Sequence, residues 1–350
     1  MAKSEPSKFA AAAVIYAGFA VYLYQPHFKD FDKLQYLLVV NVCLASLGCF
    51  LLSRRWLSKF AGSFFAGAIY GFGPFALDLA KFHPTAALMT AAIPWLFCPA
   101  AFWQPFFRRK RSKCEPEAKL KWRWVSVPLS VLPFLAIVLF FGVSARVRLF
   151  PIPTQVKLHL ADLACLPAPL VMMKQSLTLV GFYHVPIAAL IMGVSILLTA
   201  RRLGIAVIFT AGTILAFCDS FLDISPIIWL AIPLLCCSVL IGIGMEALAL
   251  AGPTDKNWVL ATAVIMTVLS ITALLLAPKY YNIFAGLGAK HANLLVNTAK
   301  MYILGAVAAA IIFFMARAKL RIAALRWLVL CSAMAVDIFL GARFIVDKIF

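Results

Sequence analysis

Charge is scarce in this chain, and acidic charge most of all: Asp and Glu number 13 in 350 residues, against 32 Lys and Arg. Charged residues make up 13% and apolar residues 64%, where ordinary globular domains carry roughly 25% and 45–50%. That composition excludes a soluble domain. The signatures of soluble catalysis are missing as well, with no Gly-rich phosphate loop, no G-x-S-x-G elbow and no H-E-x-x-H. Nine cysteines fall at Cys43, Cys49, Cys98, Cys114, Cys165, Cys218, Cys236, Cys237 and Cys331, without a C-x-x-C or His-x-Cys cluster. They read as small polarizable packing residues rather than metal ligands. No repeat with a period of 20–50 residues is visible, and no pair of matching broken helices marks two inverted halves.

What remains is a succession of apolar runs from Phe9 to the C-terminus, with a mean hydropathy of +0.97. Lipid leaves backbone polar groups nothing to bond but each other. Runs of about 20 apolar residues therefore select helices over the alternating ten-residue strands of a barrel. The sequence predicts an all-α polytopic bundle in one integral membrane domain, 1–350. About eleven spans are expected, near 9–24, 34–52, 60–79, 86–105, 125–143, 177–199, 203–219, 227–250, 258–277, 294–315 and 322–342. The first run follows Lys3 and Lys8 as a signal peptide would, but no small-x-small cleavage site comes after it, so it reads as a retained span.

The net charge of +19 invites a nucleic-acid reading, which the positions of the bases exclude. Arg54, Arg55 and Lys59 follow the second span, a dense group from Arg108 to Arg123 follows the fourth, and Arg317, Lys319 and Arg321 come before the last. Alternate loops are basic, which is the positive-inside pattern. It predicts the plasma (inner) membrane with a cytoplasmic N-terminus, and eleven crossings put the C-terminus outside. The basic loop from about Phe106 to Trp124 also suits anionic lipid heads. Two outer connections are long. One, 144–176, has apolar residues mixed with Lys157, His159 and Asp162, the pattern of an interfacial helix; the other runs from Pro278 to Asn293 with Tyr280 and Tyr281 as anchors.

Ionisable residues inside spans cost about 2.5–3.5 kcal/mol at mid-helix, so their places carry information. In this topology they favour the outer half: Asp30, Asp32, Asp78, Lys81, His83, His184, Asp219, Asp223, Lys300 and Asp337, with Glu246 the exception. Lys300 and Asp337 lie equally far from the short loop joining the last two spans and are expected to form a buried ion pair. In Phe28-Lys29-Asp30-Phe31-Asp32, the Asp-x-Asp pair is of a type that holds a divalent cation or serves as a base.

Asp32-Lys33-Leu34-Gln35-Tyr36 after a first span, the hairpin Leu47-Gly48-Cys49-Phe50 through Tyr70-Gly71-Phe72-Gly73-Pro74, His83-Pro84, Ile93-Pro94-Trp95 and Gly181-Phe182-Tyr183-His184-Val185-Pro186 together resemble GT-C-type membrane glycosyltransferases. The likeness is to the bacterial YfhO-like family in particular and is firmest over the first hundred residues. It implies a polyprenyl-phosphate-linked sugar donor, an envelope glycan or lipid as acceptor, and an outer-facing site. Asp32 would be its base or metal carboxylate, Asp30 its neighbour, and a divalent cation its cofactor. His83, Lys157, His159, His184 and Lys300 are then the candidates for holding the donor. The first outer loop is shorter than in that family. Two other classes stay open: a transporter or flippase for an amphipathic or anionic substrate, and a non-catalytic scaffold subunit. A cavity reaching both faces and discontinuous helices would favour transport; a one-sided outer cavity opening toward lipid, with Asp32 at its wall, would favour transfer.

Overall fold

The structure, a computed structural model, describes residues 5–30, 35–82, 84–103, 139, 143, 158–167, 181–199, 203–219, 225–252, 254–286, 292–318 and 323–349. Every element among them is helical. In chain order these are α1 (Glu5–Tyr24), a 3-10 turn (Gln25–Asp30), α2 (Tyr36–Ser53), α3 (Phe60–Gly71), α4 (Pro74–Phe82) and α5 (Pro84–Trp103). A second 3-10 turn (Leu160–Cys165) comes before α6 (His184–Thr199), α7 (Leu203–Phe217), α8 (Pro226–Trp229), α9 (Ala231–Leu250), α10 (Lys256–Gly286), α11 (Leu294–Arg317) and α12 (Ala323–Ile349).

Seven stretches are long and apolar enough to cross a bilayer, and Ala87–Cys98, His184–Leu198 and Ala206–Phe217 add shorter apolar helices. This is the helical membrane bundle that the composition requires. The expected span at 125–143 lies outside the described residues apart from two positions. At about 1.5 Å per residue, the 31 residues of α10 reach about 46 Å, well beyond a hydrocarbon core of about 30 Å. The outer connection expected from Pro278 is therefore partly helix, running on to Gly286. Of the connection at 144–176, residues 158–167 are described. They hold a six-residue 3-10 turn rather than a longer interfacial helix, with Leu160 exposed.

Helix α9 is the hub. It packs against α2, α3, α5, α6, α7, α11 and α12, and its membrane-spanning window is 83% buried, against 28% for α1 and 33% for α10. Those two are apolar all round and present Val14, Ile15, Leu274 and Leu275 outward, as helices do when their solvent is lipid. Lipid supplies no hydrophobic drive between helices, so close backbone approach must provide the packing. At the α6–α9 crossing the Cα of Gly244 lies against the carbonyl of Ala189 and that of Gly193 against the carbonyl of Leu240, with no room for a Cβ at either place.

Two helix ends are closed by charges from other helices. Glu246 Oε1 of α9 accepts the Lys59 N–H at 2.6 Å, where α3 begins, and its Oε2 accepts the Ser58 hydroxyl at 3.4 Å. Arg326 of α12 donates to the Ala251 carbonyl at 2.5 Å, where α9 ends. Carboxylate at the N-terminus and guanidinium at the C-terminus is the pairing that the helix dipole and its orphan backbone groups call for. Glu246, the exception to the outer clustering of ionisable groups, thus has a structural task.

Helices α1 and α12 run parallel. Ile15 shares a groove with Ala335 and Val336, Phe19 and Tyr22 meet Phe339, Tyr22 lies under Arg343, and His27 reaches Asp347.

Candidate functional site

The polar centre of the bundle forms beside two non-helical stretches. The run 60–79 counts as one span but is broken at Phe72 and Gly73, between α3 and α4. Gly73 sits against the carbonyl of Ile69, where a Cβ would collide, and Pro74 opens the next helix without needing a donor. The second is the segment 181–183 ahead of α6. Among the described residues α6 has 16, about 24 Å of helix.

Asp337 closes the N-terminus of α6. Asp337 Oδ2 accepts the Val185 N–H at 2.5 Å, while Oδ1 takes His184 Nδ1 at 3.1 Å. Pro186 removes one of the remaining orphan donors of the first turn. His184 and Asp337 are 0% and 1% exposed. Among the described residues His184 Nε2 has no hydrogen-bond partner. Tyr302 of α11 stands edge-on to the imidazole, centroids 4.9 Å apart, and both it and Tyr183 lie within electrostatic reach of Asp337.

The surroundings fix this pair. Tyr183 donates its hydroxyl at 2.5 Å to the carbonyl of Phe72, the group freed by the break between α3 and α4, so one non-helical stretch satisfies the other. Its ring packs on Gly341, where a Cβ would overlap the ring atoms; any other residue one turn after Asp337 would displace it. Tyr302 donates to the Pro167 carbonyl at 2.6 Å. Beside the two breaks a cavity of about 20 Å³, lined by Asn41, Tyr70, Gly71, Gly73, Thr90, Gly181 and Ser238 among others, has room for one water-sized occupant.

The sequence expectations divide sharply here. Asp337 pairs with His184 and Val185, not with Lys300, whose side chain is exposed. Equal distance from a connecting loop fixes depth but not rotation, and rotation decides the pairing. The buried stripe of α11 includes Thr298, Ala299 and Tyr302, and Lys300 falls on the opposite face. Asp337 is also deeper than expected, because α12 continues to Ile349 and places it near mid-helix. His159 is exposed and caps the 3-10 turn, its N–H bonded to Asp162 Oδ2 at 2.8 Å. Asp30 ends the first 3-10 turn. Asp32, His83 and Lys157 lie outside the described residues. Among the described residues no group of three or more His, Cys, Asp or Glu is placed to hold a metal ion.

Tyr183, Tyr302 and Gly341 are members of the centre that the sequence reading missed. A signal existed: Gly71-Phe72-Gly73-Pro74 and Gly181-Phe182-Tyr183-His184-Val185-Pro186 both join a helix breaker to a proline that suits a first helical turn. Compared with family models, curated proteins and solved structures, the chain finds no match.

Proposed function

We propose that this protein is a multi-pass carrier, a transporter or flippase for an amphipathic anionic substrate, with His184 and Asp337 as its proton-responsive element. The observation that supports this is an ionisable pair sealed within the bundle at the N-terminus of α6, with one imidazole nitrogen left without a partner among the described residues. Intramembrane ionisable residues at the ends of interrupted helices are the usual construction of a coupling site. Imidazole is the side chain whose charge changes in the physiological range. The substrate class follows from the basic loops and the net charge of +19, which attract anions, and from the apolar interior, which suits a hydrocarbon chain. The orientation that goes with this reading has the N-terminus inside and the C-terminus outside; the parallel run of α1 and α12 supports an odd number of crossings.

The test is translocation in proteoliposomes. Fluorescent short-chain phosphatidylglycerol placed in one leaflet should cross faster than in empty vesicles, at a rate that responds to an imposed pH gradient. Asp337→Asn, purified as a folded protein, should lose the pH response. Glycosyl transfer, the reading implied by the family resemblance, runs through Asp32. Sugar transfer from a polyprenyl-phosphate donor that Asp32→Asn abolishes, with no translocation in the wild type, would replace the carrier reading.

A further inference from the structure

We infer that the groove between α1, α3 and α12 is a binding site for a lipid with a phosphate headgroup, its chain lying in the groove and its phosphate on Arg343. The groove, lined by Ile15, Phe19, Phe64, Val336, Phe339 and Leu340 among others, has a volume of about 520 Å³. At about 30 Å³ per water-sized group, that holds on the order of 17 methylenes, the scale of one hydrocarbon chain. Its lips are exposed, with Ile15, Val336 and Leu340 close to half accessible, so it opens sideways into the bilayer.

One end of the groove carries charge, and this identifies the occupant. Tyr22 joins the two parts, its ring 5.4 Å from that of Phe339 and 5.8 Å beneath the guanidinium of Arg343. Arg343 Nε donates to Asp347 Oδ2 at 2.8 Å, and Asp347 Oδ1 takes His27 Nε2 at 3.3 Å. A guanidinium has five donors in a fixed fork; among the described residues Arg343 spends one, and its side chain is 30% exposed. Among the described residues nothing takes the Nη groups, which suit the two-pronged contact that phosphate accepts best. Depth agrees. Arg343 lies one turn before Asp347, where the apolar span ends, and about 9 Å before the end of α12, while the groove lies below it within the hydrocarbon. Lys29, exposed two residues beyond His27, adds a second cation on the same side. A protein partner would meet neither the sideways opening nor the unspent donors at headgroup depth. The site concerns binding alone and holds whether or not the lipid is moved.

The experiment is native mass spectrometry of the full-length protein in detergent, titrated separately with dioleoyl phosphatidylglycerol and dioleoyl phosphatidylcholine. Wild type should hold the anionic lipid in preference to the zwitterionic one. Arg343→Gln should weaken phosphatidylglycerol about tenfold, the loss of one charge-assisted contact, and Arg343→Lys should weaken it less, because the charge remains without the fork. Ala335→Trp, which fills the groove, should release both lipids, with unchanged thermal unfolding showing that the bundle is intact. Equal binding of the two lipids by wild type, or unaltered phosphatidylglycerol binding by Arg343→Gln, would overturn the assignment. So would a dimer that Ala335→Trp dissociates, since the groove would then hold a second copy of the chain.

Discussion

Asp337→Ala tests the centre of the bundle most severely. The substitution removes both acceptors at the start of α6 and leaves the Val185 N–H and the His184 Nδ1 proton facing each other's vacated partner. Both groups are buried, so water cannot replace the carboxylate. Each orphaned donor costs about 1–3 kcal/mol, so the two together cost about 2–6 kcal/mol. At about 2 °C per kcal/mol for a chain of this size, Tm should fall by roughly 4–12 °C. Asp337→Asn keeps one acceptor and the shape but loses the charge facing the helix N-terminus, a cost of about 1–2 kcal/mol. Thermal unfolding in detergent, followed by size-exclusion recovery, measures both. In a double-mutant cycle, His184→Ala on the Asp337→Ala background should cost less than on wild type, because the Nδ1 donor has already lost its partner. An Asp337→Ala protein melting within 1 °C of wild type would refute the account of Asp337 as the cap of α6.

Other outcomes follow from packing and topology. Gly244→Ala puts a methyl group onto the Ala189 carbonyl; it should force α6 and α9 apart and cost about 1–3 kcal/mol, read as a lower Tm, whereas a stable Gly244→Ala would show that the crossing is loose. Cysteine labelling from outside, on a background lacking native cysteines, should reach a probe at Asn282, exposed near the end of α10, and miss one at Ser112; the reverse would invert the topology. Because α1 and α12 are parallel, tags on the two termini should fall on opposite faces, and finding both on one face would contradict the observed pairing of their ends.

How far the sequence could be read depended on which physical property decided each feature. Apolar run length gave several helices nearly to the residue: 34–52 became Tyr36–Ser53, and 294–315 became Leu294–Arg317. The last span ran seven residues further than expected. Arg343 and Asp347 bond one turn apart within α12, with Tyr22 and His27 as further partners, so the helix runs on past the apolar stretch. The break inside 60–79 was written as Gly-Phe-Gly-Pro, yet hydropathy averages over such punctuation. Pairing within the centre was the least legible part. His184 and Asp337 are 153 positions apart, and nothing local announces that the start of one helix meets the middle of another. Asp78, Lys300 and Asp337 look alike in a list of intramembrane charges. Only the rotation of each helix separates Lys300, exposed, from Asp337, sealed.

The central claim is that the sealed pair handles protons during transport. The direct measurement is proton movement itself, followed with a pH-sensitive dye trapped in proteoliposomes while fluorescent phosphatidylglycerol crosses. Wild type should show a pH change that begins with the substrate and tracks its rate. His184→Gln, which keeps a polar side chain at the start of α6, should cross-link substrate movement to no pH change or stop it altogether. Proton movement of wild-type size and timing in the His184→Gln protein would contradict the account.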